Sequence, residues 1–214
     1  MAKLDDSLLS GSRGRTGRLV VANVNGVEIL KVRPKKSTKA VSPKQELIRQ
    51  RMKVSYSFIE SYKTYTSAFF GTKIGMKSPY NQAMSNLLNA FKLDYAQMEI
   101  NIAYPEISFS KGPLPAPQPT GIASTAAQQI SVDWYNNSGG NTDRDADQLQ
   151  VMCAVEGEPA TLFFQNQAVR ADVQATVTLP PMVSGKKVHV YLSFTDAAGL
   201  SSSGSAYVGS VTVA

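Results

Sequence analysis

Four prolines fall within nine residues at Lys111-Gly-Pro-Leu-Pro-Ala-Pro-Gln-Pro119, a density that rules out a helix interior or a central strand there. Proline fixes its own φ and lacks an amide proton, so the segment must run extended, and regular structure has to form before it or after it. Composition changes across the same point. Residues 1–92 carry 17 Lys and Arg against 5 Asp and Glu, while residues 93–214 carry 5 against 11, so a basic half is joined to an acidic one. The chain therefore divides into a basic arm (1–17), a hairpin and two-helix domain (18–110), an extended linker (111–119) and a β-rich domain (120–214).

Ahead of the prolines, Ser10-Gly-Ser-Arg-Gly-Arg-Thr-Gly-Arg18 has no hydrophobic period, which predicts a flexible arm ordered only by a partner. Residues 18–33 read as a β-hairpin whose two β-branched runs meet at Asn25-Gly26, a pair suited to a two-residue turn. A lone hairpin is marginal in water, so this one needs a surface to pack on. After a basic connector, Ser42-Pro43-Lys44-Gln45 supplies an N-cap serine, a proline at the first helical position and a capping-box glutamine. From there Ile48, Met52, Ser55, Ile59, Tyr62, Thr66 and Phe69 keep helical spacing as far as Gly71. A second helix starts at Ser78-Pro79, with Ala83, Met84, Leu87, Leu88 and Phe91 on one face. Tyr56, Tyr62, Tyr65, Phe69, Phe70 and Tyr80 are expected in a core or subunit interface. Residues 97–102 and 106–110 read as short strands.

Beyond the prolines, residues 130–134, 149–155, 161–164, 175–179, 188–194 and 207–213 alternate as short strands, which predicts a two-sheet sandwich. Alternation places Val188, Val190, Leu192 and Phe194 inside, and His189, Tyr191, Ser193 and Thr195 on an outer or edge face. The proline-rich entry, Val132-Asp-Trp134 and Val190-Tyr-Leu-Ser-Phe-Thr-Asp-Ala-Ala-Gly199 resemble a fibronectin type III or Ig-like module, with Val188 standing where that family has a tyrosine. The fold class is α+β: an N-terminal β-hairpin and helical hairpin followed by an all-β sandwich. Taken together, the Gly/Arg arm, the hairpin, Lys31-Val-Arg-Pro-Lys-Lys36, the two helix starts and the Val188-His-Val-Tyr-Leu-Ser-Phe194 strand resemble the domain-of-unknown-function family 6266 of Bacteroidota. That resemblance implies a bacterial or phage source and no activity, cofactor or catalytic residue. The N-terminal half is also similar, more loosely, to segments of phage-associated structural proteins.

Chemistry is scarce. The single histidine, His189, and single cysteine, Cys153, cannot build a His/Cys zinc site, and no nucleophile-elbow motif accompanies them. Cys153 shares a face with Leu149, Val151 and Val155 and reads as a small buried hydrophobe. Asp143, Asp145 and Asp147 alternate like calcium-loop ligands, but Gln148 and Ala154 occupy the positions that need glycine and glutamate. Gly11, Gly14 and Gly17 precede a strand, not a helix, and so do not form a phosphate loop. No catalytic, cofactor or metal residues are assigned, no cofactor is expected, and no small-molecule substrate is evident.

Partner binding is the strongest signal. Arg13, Arg15, Arg18, Lys31, Arg33, Lys35, Lys36 and Lys39 are opposed within their segment only by Glu28, and are expected to contact either phosphates or the acids Asp143, Asp145, Asp147, Glu156 and Glu158 of a neighbouring copy. The favoured expectation is a non-enzymatic structural protein that self-associates through its basic half into a ring, filament or particle and displays the sandwich. The alternative is a nucleic-acid-binding module without sequence preference. Neither a Sec signal nor a membrane span is present in these residues, so synthesis in the cytoplasm is expected.

Overall fold

The computed structural model describes residues 2–24, 26–35 and 40–214. Asn25 of the expected turn, and Lys36 and Lys39 of the basic connector, lie outside the described residues.

The leading segment forms a four-stranded antiparallel sheet rather than a hairpin with a loose arm. Strands β1 (Ala2–Lys3), β2 (Gly14–Thr16), β3 (Leu19–Val24) and β4 (Val27–Val32) lie in the order β1-β4-β3-β2. Contacts on both edges of the hairpin recruit the arm, β1 along β4 and β2 along β3. Arg15 pairs with Val20 across the β2–β3 ladder, and the Glu28 carboxylate accepts from the Gly11 amide at 2.9 and 3.1 Å. Among the described residues, none before Leu47 is buried.

Helix α1 (Pro43–Glu60) begins with the expected capping box: the Gln45 amide donates to Ser42 Oγ, and the Ser42 amide donates to the Gln45 side chain. The single long helix read from the periodicity is interrupted at Ser61-Tyr62, and α2 (Lys63–Phe69) continues after the break. Packing is the reason, because the break turns Tyr62 fully into the core and leaves the Ser61 hydroxyl hydrogen-bonded to Thr161 Oγ1. Helix α3 (Pro79–Ala90) runs straight into strand β5 (Phe91–Asp94), which pairs with β6 (Glu99–Ile102). Phe91, assigned to the helix by its spacing, is the first residue of that strand. Residues 106–110 are not a strand. A 3-10 turn at Tyr104–Glu106 leads into an extended stretch whose Ile107 and Phe109 are buried.

The C-terminal half is the expected sandwich. One sheet has the order β10-β9-β12-β13, from β9 (Gln148–Val155), β10 (Thr161–Phe164), β12 (Lys187–Thr195) and β13 (Ala206–Thr212). The other has the order β11-β8-β7, from β7 (Gln118–Ala123), β8 (Gln129–Tyr135) and β11 (Gln174–Thr178). Between them lies a core of Trp134, Leu149, Val151, Val190, Leu192 and Phe194 with their neighbours.

The second face of the larger sheet is not an outer surface. Met152, Ala154 and Tyr191 join Phe58, Tyr62, Tyr65, Leu87, Phe91 and Phe109 in one continuous core, so the helices pack on the sandwich and β9 and β12 are buried on both faces. Consequently His189, Ser193 and Thr195, expected on an outer face, are buried. Most of the polar atoms on this face are met inside: Tyr65 OH and Thr195 Oγ1 lie 2.8 Å apart, Ser110 Oγ donates to Ser193 Oγ at 2.7 Å, and Tyr191 OH donates to Tyr104 O at 2.8 Å, whereas His189 Nε2 has no hydrogen-bond partner among the described residues.

The proline-rich linker is stitched down along its length instead of spacing two bodies. The Gly71 amide donates to Lys111 O at 2.7 Å, the Lys111 amide to Phe69 O at 2.8 Å, and the Leu114 amide to Ser202 O at 3.1 Å. Gly112 sits where the chain passes Ser202, and a Cβ there would lie 2.0 Å from the Ser202 carbonyl oxygen. Gly112→Ala should therefore cost about 1–3 kcal/mol, because backbone on both sides would have to part. Denaturant titration of the variant checks this; a midpoint equal to that of the parent would show that the linker gives way freely.

Candidate functional site

The strand pairing sorts the charges of the leading sheet by face. Arg15 and Lys31 both pair with Val20, and Lys3 pairs with Ile29 two residues from Lys31, so alternation puts these three cations on one face beside Val20, Ala22 and Ile29. Glu28 belongs to the opposite face, where the Gly11 amide engages it. Lys3 was not among the basic residues expected from the sequence; it joins them only through the β1–β4 pairing. At the open end of the β3–β4 ladder, Arg18, Arg33 and Lys35 line a cleft of about 330 Å³ with Gly17, Val32 and Pro34. The Arg33 amide donates to Arg18 O at 2.8 Å, which holds the two arginines side by side. Arg13 precedes β2 and is exposed.

The acidic residues do not converge. Asp143 and Asp145 belong to the short helix α4 (Thr142–Asp145) ahead of β9, whereas Glu156 and Glu158 follow its far end. At roughly 3.4 Å per residue, the eight-residue strand β9 separates the two pairs by more than 20 Å. Glu156 pairs with Lys187 at 3.3 Å and Glu158 with Lys186 at 2.8 Å, both at the surface. Asp145 accepts from Asn136 Nδ2, and that bond, with a second from Ser138, holds its carboxyl below the ordinary range.

Asp147, expected to meet a partner, is withdrawn from the surface. It is 2% exposed and receives Nε and Nη2 of Arg170 at 3.1 and 2.8 Å. Burial raises its carboxyl pKa, and the guanidinium opposes that rise. Arg170 is itself fully buried: it donates to Pro115 O at 3.1 Å and to Asn137 Oδ1, and its guanidinium carbon lies 3.9 Å from the Phe194 ring centroid. The Trp134 indole donates to Arg170 O at 2.9 Å. One guanidinium thus ties the linker, the loop after β8, the start of β9 and strand β12 together. Asp147 is a structural residue, and among the described residues no three His, Cys, Asp or Glu side chains come together as a metal site.

His189 occupies an aromatic slot. Its ring stacks on Tyr104 at 3.6 Å and 4° between planes, and a 2.9 Å hydrogen bond joins Nδ1 to Tyr207 OH. Burial, and then Lys187, lower its pKa, with Glu156 opposing, so the neutral imidazole is the form held at neutral pH. Its hydrogen-bond partner is the Tyr207 hydroxyl, and Ser210 stands opposite it across the β12–β13 ladder. Burial pushes the Cys153 thiol up to about 12, which leaves it an inert core residue.

No curated protein matches the chain in sequence. Among solved structures it is similar to the CNTN1 FN1-FN3 domains of chicken, at 14% identity over 49% of this chain and 34% of that one, with a TM-score of 0.37. The chain thus spans about a third of the length of that fragment. The fn3 domain of human collagen alpha-1(XX) chain is 20% identical, with 46% of this chain and 84% of that one covered and a TM-score of 0.34. The fn3 domain of human contactin 1 is 17% identical, with 49% and 83% covered and a TM-score of 0.31. The sequence profile of DUF6266, a family of unknown function, matches residues 11–209, and the protein belongs to that family.

Proposed function

We propose that this protein is a non-enzymatic structural component that self-associates through its leading sheet and presents the sandwich outward. The observation that carries the reading is a four-stranded sheet with valine, leucine and isoleucine on both faces and, among its described residues, none buried. A sheet needs a covered hydrophobic face for stability, and a second molecule would supply one. Helix α1 offers a matching deficit. Ile48, Met52 and Tyr56 recur every four residues along it and are 43%, 48% and 44% exposed. Their stripe begins within the first turns after the connector, where a neighbour's sheet would add to it.

The cations argue for an anionic complement on whatever covers that face. Acids at both ends of a neighbour's β9 supply one within a homo-oligomer, with Asp147 no longer among them. Phosphate of a nucleic acid is the second reading, favoured by the cleft of Arg18, Arg33 and Lys35, whose lining holds no carboxylate. Among the described residues no helix is long and apolar enough to cross a membrane.

Mass measurement across a salt series tests both. The full chain, after nuclease treatment, is expected to run well above its 23.1 kDa monomer mass at moderate salt. Deletion of residues 1–41 should give a folded monomer, since the described part of that segment contributes nothing to the core and the Ser42 cap is kept. A full-length protein that stays monomeric at high concentration overturns self-association. Duplex DNA binding that weakens steeply with salt would then favour the second reading.

A further inference from the structure

Helix α3 contains no charged side chain, although one face of it meets solvent. The polar stripe opposite its core residues consists of amides and a hydroxyl: Gln82, Ser85, Asn86 and Asn89. This stripe forms one wall of an open cleft of about 620 Å³, within the range of small-molecule sites. The extended stretch around Ser108–Lys111 and the Gly204-Ser205 turn form the other wall. Phe70 and Ile74 contribute the apolar surface, and Ile74 is 64% exposed. Lys77 and Lys111 also line it, neither enters an ion pair among the described residues, and no carboxylate lines the cleft.

The wall is built rather than incidental. Asn86 is held at both ends, its Nδ2 donating to Glu106 O at 3.2 Å and its Oδ1 accepting from the Ser108 amide at 2.9 Å. Gln82 Nε2 donates to Thr72 O at 2.6 Å, which fixes the side chain and leaves its oxygen as an acceptor. Ser205 Oγ accepts from the Phe109 amide at 3.1 Å, so its own hydrogen remains to donate. Fixed neutral donors and acceptors, an apolar surface and two unopposed ammonium groups together suit a ring that is hydroxyl-rich, has a CH face and carries a negative group.

We infer that this cleft binds an anionic sugar, one hexose-sized ring bearing a phosphate or carboxylate, with Lys77 and Lys111 on the anion and Gln82, Asn89 and Ser205 on hydroxyls. Calorimetric titration of the full chain with glucose 6-phosphate, glucuronate, glucose and inorganic phosphate tests it. Saturable binding of one of the charged sugars at about millimolar Kd, weakened about tenfold or more by combined Lys77→Gln and Lys111→Gln, is the expected result. Both lysines are exposed, so the double variant should keep its fold. Inorganic phosphate should bind several-fold more weakly, and glucose should give no measurable heat. The proposal is overturned if phosphate alone binds as tightly as the charged sugars. It is also overturned if neither charged sugar binds, or if binding is lost in an Arg18→Gln, Arg33→Gln variant but survives in the lysine variant.

Discussion

Replacing Arg170 with methionine is expected to destabilise the protein by about 3–5 kcal/mol, since the change leaves the Asp147 carboxylate buried without its partner. The side chain volume is nearly kept, so lost packing explains little of that cost. What disappears is the pair of bonds to Asp147, the bonds to Pro115 O and Asn137, and the stacking on Phe194. The charge pair itself need not be stabilising in net terms, because both ions have left water. Adding Asp147→Leu to Arg170→Met should therefore recover a large part of the loss, and the double-mutant cycle separates the unpaired charge from the lost tethers. Chemical denaturation followed by the fluorescence of the sole tryptophan, Trp134, reads this directly, since its indole donates to the Arg170 carbonyl. A loss under about 1 kcal/mol for Arg170→Met would mean that water reaches Asp147.

Phe109→Ala is expected to cost a similar amount, about 3–5 kcal/mol, and to lower the stability of both halves together. Phe109 is fully buried, with ring centroids of Tyr65, Phe163 and Tyr62 at 5.8, 5.9 and 6.1 Å. It stands where helices α1 and α2 meet the second face of the larger sheet, so the cavity it leaves opens in a core that the two halves share. Far-UV circular dichroism weights the helices and Trp134 fluorescence weights the sandwich. If one core serves both, the two signals should move with coincident midpoints in the parent and in the variant. Separate midpoints, with only the helical signal shifted, would show two independently stable bodies.

The sandwich was legible because its inner faces alternate cleanly, and all six expected strands exist with ends moved by a residue or two. The helix starts were legible for a local reason, a serine before a proline at each. More escaped than the helix break at Ser61-Tyr62: strand β7 (Gln118–Ala123) begins within the stretch read as linker, at an edge of its sheet where Pro119 is tolerated. Strands β1 and β2 are recruited by backbone pairing, and the Gly/Arg pattern of residues 10–18 carries no side-chain period to announce it. The covered second face of β12 was hidden because His189, Ser193 and Thr195 look like solvent-facing residues; their burial depends on Tyr65, Ser110 and Tyr207 arriving from distant parts of the chain. Met152 and Ala154 on the same face were the available sign that the sheet is covered twice. The Asp147–Arg170 pair is 23 residues apart in sequence, and nothing local distinguishes that aspartate from the solvated ones beside it. In the candidate partner surface, the cations were legible as a run, whereas their segregation from Glu28 onto one face follows from strand register alone.

Cys153 is the sole cysteine and lies within the sandwich core with a thiol that stays protonated in neutral solution. A cysteine placed by design on the exposed surface, in the leading sheet or along the outer stripe of α1, would accordingly be the one thiol open to maleimide chemistry. Spin labels, fluorophores or short bifunctional reagents can be attached at chosen points without first removing a native sulfur, so the proposed contact between copies can be probed in the otherwise unaltered protein.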